Sequence, residues 1–335
     1  MTVARLYAPG DVRIGEEPEP RSGPGEELVR VASVGICGSD VHWFTEGSIG
    51  DARLDRPLVL GHEMGGTIAT GPRAGTRVAI DPAIPCWSCP PCRDGNPNLC
   101  LNVIFAGHGA TDGGMRQYLS WPAERLHPVP DELDPVRIAL LEPLGVALHA
   151  NDLAHQRLGA GVGVVGCGPI GLFVVQLARL AGASRVLAVE PLAWRRELAA
   201  DYGAIALTPA QATAEGGPGA DLDVVIEVAG TDAAVQQAID LVRPGGRVVL
   251  AGIPDGDRTT FLASSARRKG LTIAVSRRMK EVYPRAIELL ASGRVDTHDL
   301  ISHRFALNDA AEAMRVAADR AGQKVVVLPW PDGVT

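Results

Sequence analysis

Between residues 161 and 252 the chain alternates apolar β-runs with helical runs without interruption. GVGVVG (161–166) reads as an apolar strand. PIGLFVVQLARLAG (169–182) has apolar residues at helical spacing and ends in glycine, and RVLAVE (185–190) is a strand again. WRRELAADYG, LDVVIEV, AAVQQAIDLV and RVVLAG continue the series as helix, strand, helix and strand. Strict alternation of this kind predicts an α/β domain, a doubly wound parallel sheet covered by helices on both faces. Few other architectures accommodate the pattern, so this stretch fixes residues 151–275 as one domain.

The first strand-to-helix turn, GCGPIG, matches G-x-G-x-x-G in the context that gives the motif meaning. Gly166 permits the tight turn, Gly168 lets a pyrophosphate approach the backbone, and Gly171 lets helix and strand pack closely. Pro169 suits the first helical turn, where no N–H is required, and Ile170 lies beside it. The free N–H groups of that turn face a phosphate. Glu190, about 20 residues on, is placed to bond both ribose hydroxyls and to repel a 2′-phosphate, which favours NAD over NADP. Arg195 and Arg196 pull the other way, since either can turn toward a phosphate. Cys167 reads as a small buried turn residue.

Residues before 150 have a different character. EELVRVAS (26–33), GGTIATG (65–71) and TRVAIDP (76–82) are β-runs separated by Pro and Gly turns. After 275, two helical patterns (285–292 and 309–320) precede a last strand, KVVVLP (324–329), and this tail is expected to return to the first domain. A chain of 335 residues, 46% of them hydrophobic, exceeds one comfortable core and suits this two-domain division, 1–150 with 276–335 and 151–275. A net charge of −7 without a basic stripe argues against nucleic acid and anionic membranes as partners. The start, MTVARLYAPGDVRIG, lacks the plan of a signal peptide, and no apolar run reaches the roughly 18–20 residues that span a bilayer. A soluble cytoplasmic protein is expected.

Five of the six cysteines lie in the first third. CWSCPPCRDGNPNLC spaces Cys86, Cys89, Cys92 and Cys100 as C-x2-C-x2-C-x7-C in a turn-rich loop, a pattern that can close a tetrahedral structural zinc site with no open position. An iron–sulfur centre is the competing reading, because four cysteines also hold clusters. A second set of donors is dispersed. Cys37 stands in VGICGSDVH, His62 and Glu63 in LVLGHEMGGTIATG, and Glu142 in LLEPLGVALHA. An unpaired carboxylate in that last, apolar segment would be costly. A thiolate, an imidazole and a carboxylate with one open position make a catalytic zinc site.

The order of these motifs, GICGSDVH, GHE, the cysteine lobe, EPL and GxGPIG, resembles the zinc-dependent medium-chain dehydrogenases over nearly the whole chain. GICGSDVH, SIGD, RPLVLGHE and EPLGVALHA are most similar to the polyol dehydrogenase branch, which includes sorbitol (L-iditol) and xylitol dehydrogenases. The resemblance implies a GroES-like β-rich catalytic domain beside a Rossmann domain. It also implies two zinc ions per chain, one catalytic and one structural, and NAD as hydride acceptor from a secondary hydroxyl of a small polyol, giving a ketose. It places the catalytic zinc on Cys37, His62 and Glu63, with Glu142 holding a zinc-bound water or substrate. In alcohol dehydrogenases a cysteine takes that last place.

The resemblance also places Ser39 as the hydroxyl beside the reacting oxygen and His42 as an onward proton carrier. Trp43, Ile49, Phe105 and His108 fall on substrate-pocket positions. Arg277 falls where an arginine faces substrate and cofactor, with Arg278 beside it. Ala251, Gly252, Ile253, Val275 and Ser276 fall on cofactor-binding positions. Relatives assemble as dimers or tetramers, and a homotetramer is expected. Trp43, Arg278 and Glu190 depart from the usual branch pattern. Paired arginines recognise carboxylates well, which makes a sugar acid such as idonate the main rival to a neutral polyol. Cyclitol and amino-alcohol substrates are further alternatives, and a non-catalytic zinc- and nucleotide-binding sensor is a remote one.

Overall fold

The computed structural model describes residues 1–214 and 221–330. The chain forms two compact units. One contains Met1–Glu142 and the chain from Tyr283 onward; the other is Pro143–Val282. The crossings therefore fall between Glu142 and Pro143 and between Val282 and Tyr283, whereas the strand–helix alternation of the sequence divides the chain at 150 and 275. The first crossing lies inside a continuous helix, Leu141–Ala154, which opens with the EPL segment. Pro143 in its first turn is compatible with a helix start.

The first unit is built on a seven-stranded sheet ordered Leu126–Pro128, Arg77–Ile80, Glu63–Ile68, Glu26–Gly35, Lys324–Leu328 and Ile301–Ala306, with Tyr118–Pro122 also paired to Glu26–Gly35. Glu26–Gly35 is central because its second half, VASVG, is buried on both faces. It pairs antiparallel with Glu63–Ile68, setting Gly35 opposite Glu63, and with the last strand through Val34 and Val327. A side chain at Gly35 would collide with the Glu63 carboxylate, so the glycine clears the space that this acid occupies. The last strand, Lys324–Leu328, lies inside the sheet and is almost wholly buried. One strand of this sheet has a weak sequence signal. Ile301–Ala306 alternates half-buried and exposed residues, including His303 and Arg304, as befits an edge.

The second unit holds six parallel strands in the order Ile205–Leu207, Arg185–Val189, Gly161–Val165, Leu222–Glu227, Val242–Leu250 and Thr272–Val275. In chain order this is 3-2-1-4-5-6, the Rossmann arrangement. Gly161–Val165 is buried at every position, as its continuous apolar run requires. The order reverses between Gly161–Val165 and Leu222–Glu227, and nucleotides bind at that switch point. Among the described residues no helix is long and apolar enough to cross a membrane.

Candidate zinc and nucleotide sites

Cys37 is the N-cap of the helix Gly38–Glu46. Its N–H donates to Asp40 Oδ2 at 2.9 Å, while Asp40 Oδ1 accepts from Gly61 N–H at 3.1 Å and lies 3.5 Å from His62 Nδ1. One fully buried carboxylate thus ties Cys37 to the loop that carries His62. Gly61 has φ +94°, a conformation that glycine adopts without strain. With Nδ1 toward Asp40, the other nitrogen, Nε2, lies 3.4 Å from Ser39 Oγ. Such a carboxylate partner fixes the orientation of an imidazole that binds metal. Burial alone would lower the pKa of His62, but Asp40 and Cys37 hold it well above the ordinary histidine value. For Asp40 burial pushes upward, and the His62 charge with the Cys37 and Gly61 N–H groups brings it below the usual carboxylate range.

The two acids behave differently. Both oxygens of Glu63 accept from Lys324 Nζ, at 2.6 and 2.8 Å, and the same ammonium donates to Ile36 O at 2.9 Å. Glu142 is buried and its side chain makes no hydrogen bond among the described residues. Burial pushes its pKa up to about 8, against the His62 charge, and Glu63 pushes it further the same way. A buried carboxylate without a donor, electrostatically coupled to an imidazole, fits a bound cation. Sulfur, nitrogen and oxygen donors suit zinc. Among the described residues only the lobe cysteines bring all their ligand atoms within 4.8 Å of one another. Glu63, drawn into the ligand set by resemblance, has its oxygens turned to Lys324.

The expected pocket residues converge on this place. The rings of Trp43 and His108 lie 5.4 Å apart, those of Phe105 and His62 also 5.4 Å, and Phe105 meets His108 at 6.5 Å. Ile49, half-buried on the short strand Ser48–Ile49, packs against the same core as Trp43. His42, further along the helix from Ser39, places Nδ1 2.8 Å from Glu46 Oε1.

In the lobe, the four sulfurs of Cys86, Cys89, Cys92 and Cys100 lie within 4.8 Å of one another, with Cys89–Cys92 at 3.4 Å and Cys89–Cys100 at 3.9 Å. A tetrahedral ion with Zn–S bonds of about 2.3 Å separates its sulfurs by about 3.8 Å. This spacing accepts a single ion and leaves no room for the irons and sulfides of a cluster. Cys86 and Cys89 N–H groups already point at sulfur, at 3.2 and 3.4 Å. Burial pushes Cys92 up to about 12, while hydrogen bonding from Ser88 brings Cys86 down to about 5. Four thiolates this close require a cation to ionise together.

In the second unit, Gly166 has φ +99° and a side chain there would press on Ala229, while one at Gly171 would strike the Gly166 carbonyl. At Gly168, the cap of helix Pro169–Leu180, nothing lies within 4 Å of an added Cβ, which leaves the space that a pyrophosphate needs. Ile170 is half-buried in the first turn of that helix. Glu190 accepts from Cys167 N–H at 2.9 Å and Leu192 N–H at 3.0 Å, so its carboxylate is fixed beside the glycine turn. Arg196 donates to the Glu190 and Pro191 carbonyls, and Arg195 lies over the Trp194 ring at 4.9 Å.

Ala251 and Gly252 N–H groups bond the Glu227 carbonyl, and Ile253 packs its carbonyl against Gly230. Val275 ends the strand Thr272–Val275 and is largely exposed, and Ser276 N–H bonds Leu250 O. Arg277 is exposed. Arg278 is half-buried with φ +54°, unusual for a residue with a side chain.

Four residues of these sites escape the sequence reading. Asp40 lies inside GICGSDVH, where its type and spacing from Cys37 match a helix-capping acid. Lys324, at the head of an apolar strand, carries no local signal. Glu46 lies four residues beyond His42. Glu227 ends LDVVIE, is fully buried, and accepts at Oε1 from Ala229 and Gly230 N–H groups, with Oε2 unpartnered.

Comparison with known proteins agrees with this architecture. Residues 23–131 match the alcohol dehydrogenase GroES-like domain, and residues 169–292 match the zinc-binding dehydrogenase domain. The chain is 35% identical to the "Probable D-xylulose reductase A" of Aspergillus clavatus, over 94% of this chain and 93% of that protein. It is 36% identical to the sorbitol dehydrogenase of Gallus gallus, over 96% and 94%. The solved structure of L-idonate 5-dehydrogenase from Escherichia coli superposes with a TM-score of 0.90 at 28% identity, covering 98% of this chain and 97% of that one. Sulfur lobe, Cys–His–acid cluster, glycine turn and relatives agree: the chain belongs to the zinc-dependent medium-chain dehydrogenases, in their polyol dehydrogenase branch.

Proposed function

We propose that this chain oxidises a secondary hydroxyl of a small polyol to a ketone and passes the hydride to NAD. The observation that carries the reading is Glu142, a buried acid without a hydrogen bond, coupled to His62. The residues that would hold the catalytic zinc are Cys37, His62 and one acid. Glu142 has uncommitted oxygens, whereas Glu63 serves Lys324, so the geometry favours Glu142 as ligand and Glu63 as the charge behind it. When bound, zinc acts as a Lewis acid toward the substrate oxygen and NAD accepts the hydride.

The chain's own groups do the rest. Asp40 keeps the His62 ring oriented. Ser39 takes the hydroxyl proton and His42 carries it onward. Trp43, Phe105 and His108 form the apolar wall against which the polyol carbons rest. Glu190 receives the adenosine ribose and makes NAD the preferred cofactor. The lobe holds the second, structural zinc.

A sugar acid is the second reading, favoured by Arg278, which keeps a left-handed backbone beside Arg277. Strained residues of this kind gather at functional sites. NADH formation across matched pentitols, hexitols and their aldonates tests both. A higher kcat/KM for the neutral polyols supports the first reading; a clear aldonate advantage lost in Arg278→Ala supports the second. The family resemblance supports a cytoplasmic homotetramer as the working form, and sedimentation of the purified protein tests the assembly.

A further inference from the structure

We propose that Glu227 sets the redox preference of the nucleotide site: its buried carboxylate is the counter-charge to an oxidised nicotinamide ring and raises the affinity for NAD⁺ relative to NADH. The inference rests on the reading of the second unit as an NAD site and not on the identity of the alcohol. A Rossmann sheet holds one mononucleotide on each side of its switch point. Glu190 marks the adenosine half, over the strands Gly161–Val165, Arg185–Val189 and Ile205–Leu207. The nicotinamide half therefore lies over the carboxyl ends of Leu222–Glu227, Val242–Leu250 and Thr272–Val275. Glu227 is the last residue of the first of these, level with Val165 across the switch point and with Leu250 on its other side. The other two strands of that half end in the apolar Leu250 and Val275.

Glu227 ties two loops of the site together. Its Oε1 accepts from Ala229 and Gly230 N–H groups at 2.7 and 2.6 Å, and its main-chain carbonyl accepts from Ala251 and Gly252 at 2.8 and 3.1 Å. Holding the loops uses one carboxylate oxygen, and a neutral acceptor would serve as well. Oε2 is buried without a hydrogen bond, in a space that Gly252 keeps clear, since a Cβ there would stand 2.9 Å from it. A buried carboxylate oxygen left in this way is costly unless a positive charge offsets it. Burial pushes the pKa of Glu227 up, the N–H groups of Gly230, Ala229 and Gly252 hold it down, and no side-chain charge takes part. The missing charge is the one that an oxidised nicotinamide brings. Glu227 is fully buried behind the abutting backbones of Gly230 and Gly252, so it acts through space, where little water screens it. Once the ring has accepted the hydride it is neutral, and the carboxylate loses its counter-charge. Glu227 thus favours loading of NAD⁺ and release of NADH, a step that limits turnover in many enzymes.

The test measures binding without alcohol, by calorimetric titration of the full-length protein, Glu227→Gln and Glu227→Asp with NAD⁺, NADH and ADP-ribose, the last lacking the ring. Glu227→Gln keeps the shape and the acceptor for Ala229 and Gly230 but removes the charge. It should weaken NAD⁺ relative to NADH on the order of tenfold, with ADP-ribose unchanged. Glu227→Asp disturbs the loops but keeps the charge, so both cofactors weaken while their affinity ratio stays near that of the wild type. The ratio is taken within each variant, so a general loss of stability cancels. Equal changes for NAD⁺ and NADH in Glu227→Gln would reduce the residue to a holder of loops and overturn the proposal, as would no change in either. Loss of the ratio in Glu227→Asp to the same extent as in Glu227→Gln would also overturn it. If the wild type binds neither cofactor nor ADP-ribose, the nucleotide reading itself fails, and the proposal with it.

Discussion

Replacing Lys324 with methionine keeps most of the side-chain stem and deletes the charge. The ammonium it removes stands 2.6 and 2.8 Å from the Glu63 oxygens, with the two side chains 4% and 1% exposed. Burial alone would lower the pKa of Lys324, but Glu63 and Cys37 raise it, so the charge is held by its surroundings. Removing one partner of such a pair leaves an uncompensated buried carboxylate and costs about 3–5 kcal/mol. For a unit of this size each kcal/mol moves Tm by about 2–4 °C, which predicts a fall of about 6–20 °C. Calorimetry of the single variant and of Lys324→Met/Glu63→Gln checks the reasoning. The double variant, which removes both charges of this pair, should regain most of the loss. A single-variant cost below about 1 kcal/mol, the worth of an exposed ion pair, would refute the account, as would a double variant no more stable than the single.

Other consequences are as direct. Cys92→Ser should reduce zinc from two ions per chain to one by elemental analysis, because three thiolates no longer close the lobe. Glu190→Ser should narrow the preference for NAD over NADP by about tenfold or more, one charge-assisted bond contributing about 1.5–3 kcal/mol; steady-state kinetics with both cofactors reads it. Burial would raise the carboxyl of Asp112, but Arg5, the Val59 N–H and Arg116 take it below the ordinary aspartate value. Its contribution is present above the unfolded pKa and is lost as pH falls through the folded one. Asp112→Asn should therefore flatten the acid limb of a stability–pH profile.

Much of this was legible in the sequence, and the rest was hidden for physical reasons. The second unit announced itself because parallel strands buried on both faces become continuous apolar runs, as in Gly161–Val165. The lobe was legible because its four ligands are local, with backbone turns that leave little choice of geometry. The commitment of Glu63 was not. Its partner Lys324 lies 261 residues away, and a lysine opening an apolar strand ordinarily reads as a solvated end. Glu142 could be identified as an acid in an apolar segment, but its lack of hydrogen-bond partners is a property of the folded site. Ile301–Ala306 lacked a signal because an edge strand buries only part of one face, and its polar residues obscure the alternation.

The central claim is that Cys37, His62 and Glu142 make a zinc site that oxidises a polyol with NAD. NADH formation from a neutral pentitol or hexitol, measured beside zinc content in wild type, Glu142→Gln and Glu63→Gln, tests it most directly. The account predicts turnover by the wild type with two zinc ions per chain. Glu142→Gln should lose one ion and nearly all activity, and Glu63→Gln should retain more of the catalytic zinc. Full activity in Glu142→Gln, or two bound zinc ions with no turnover of any polyol by the wild type, would contradict it.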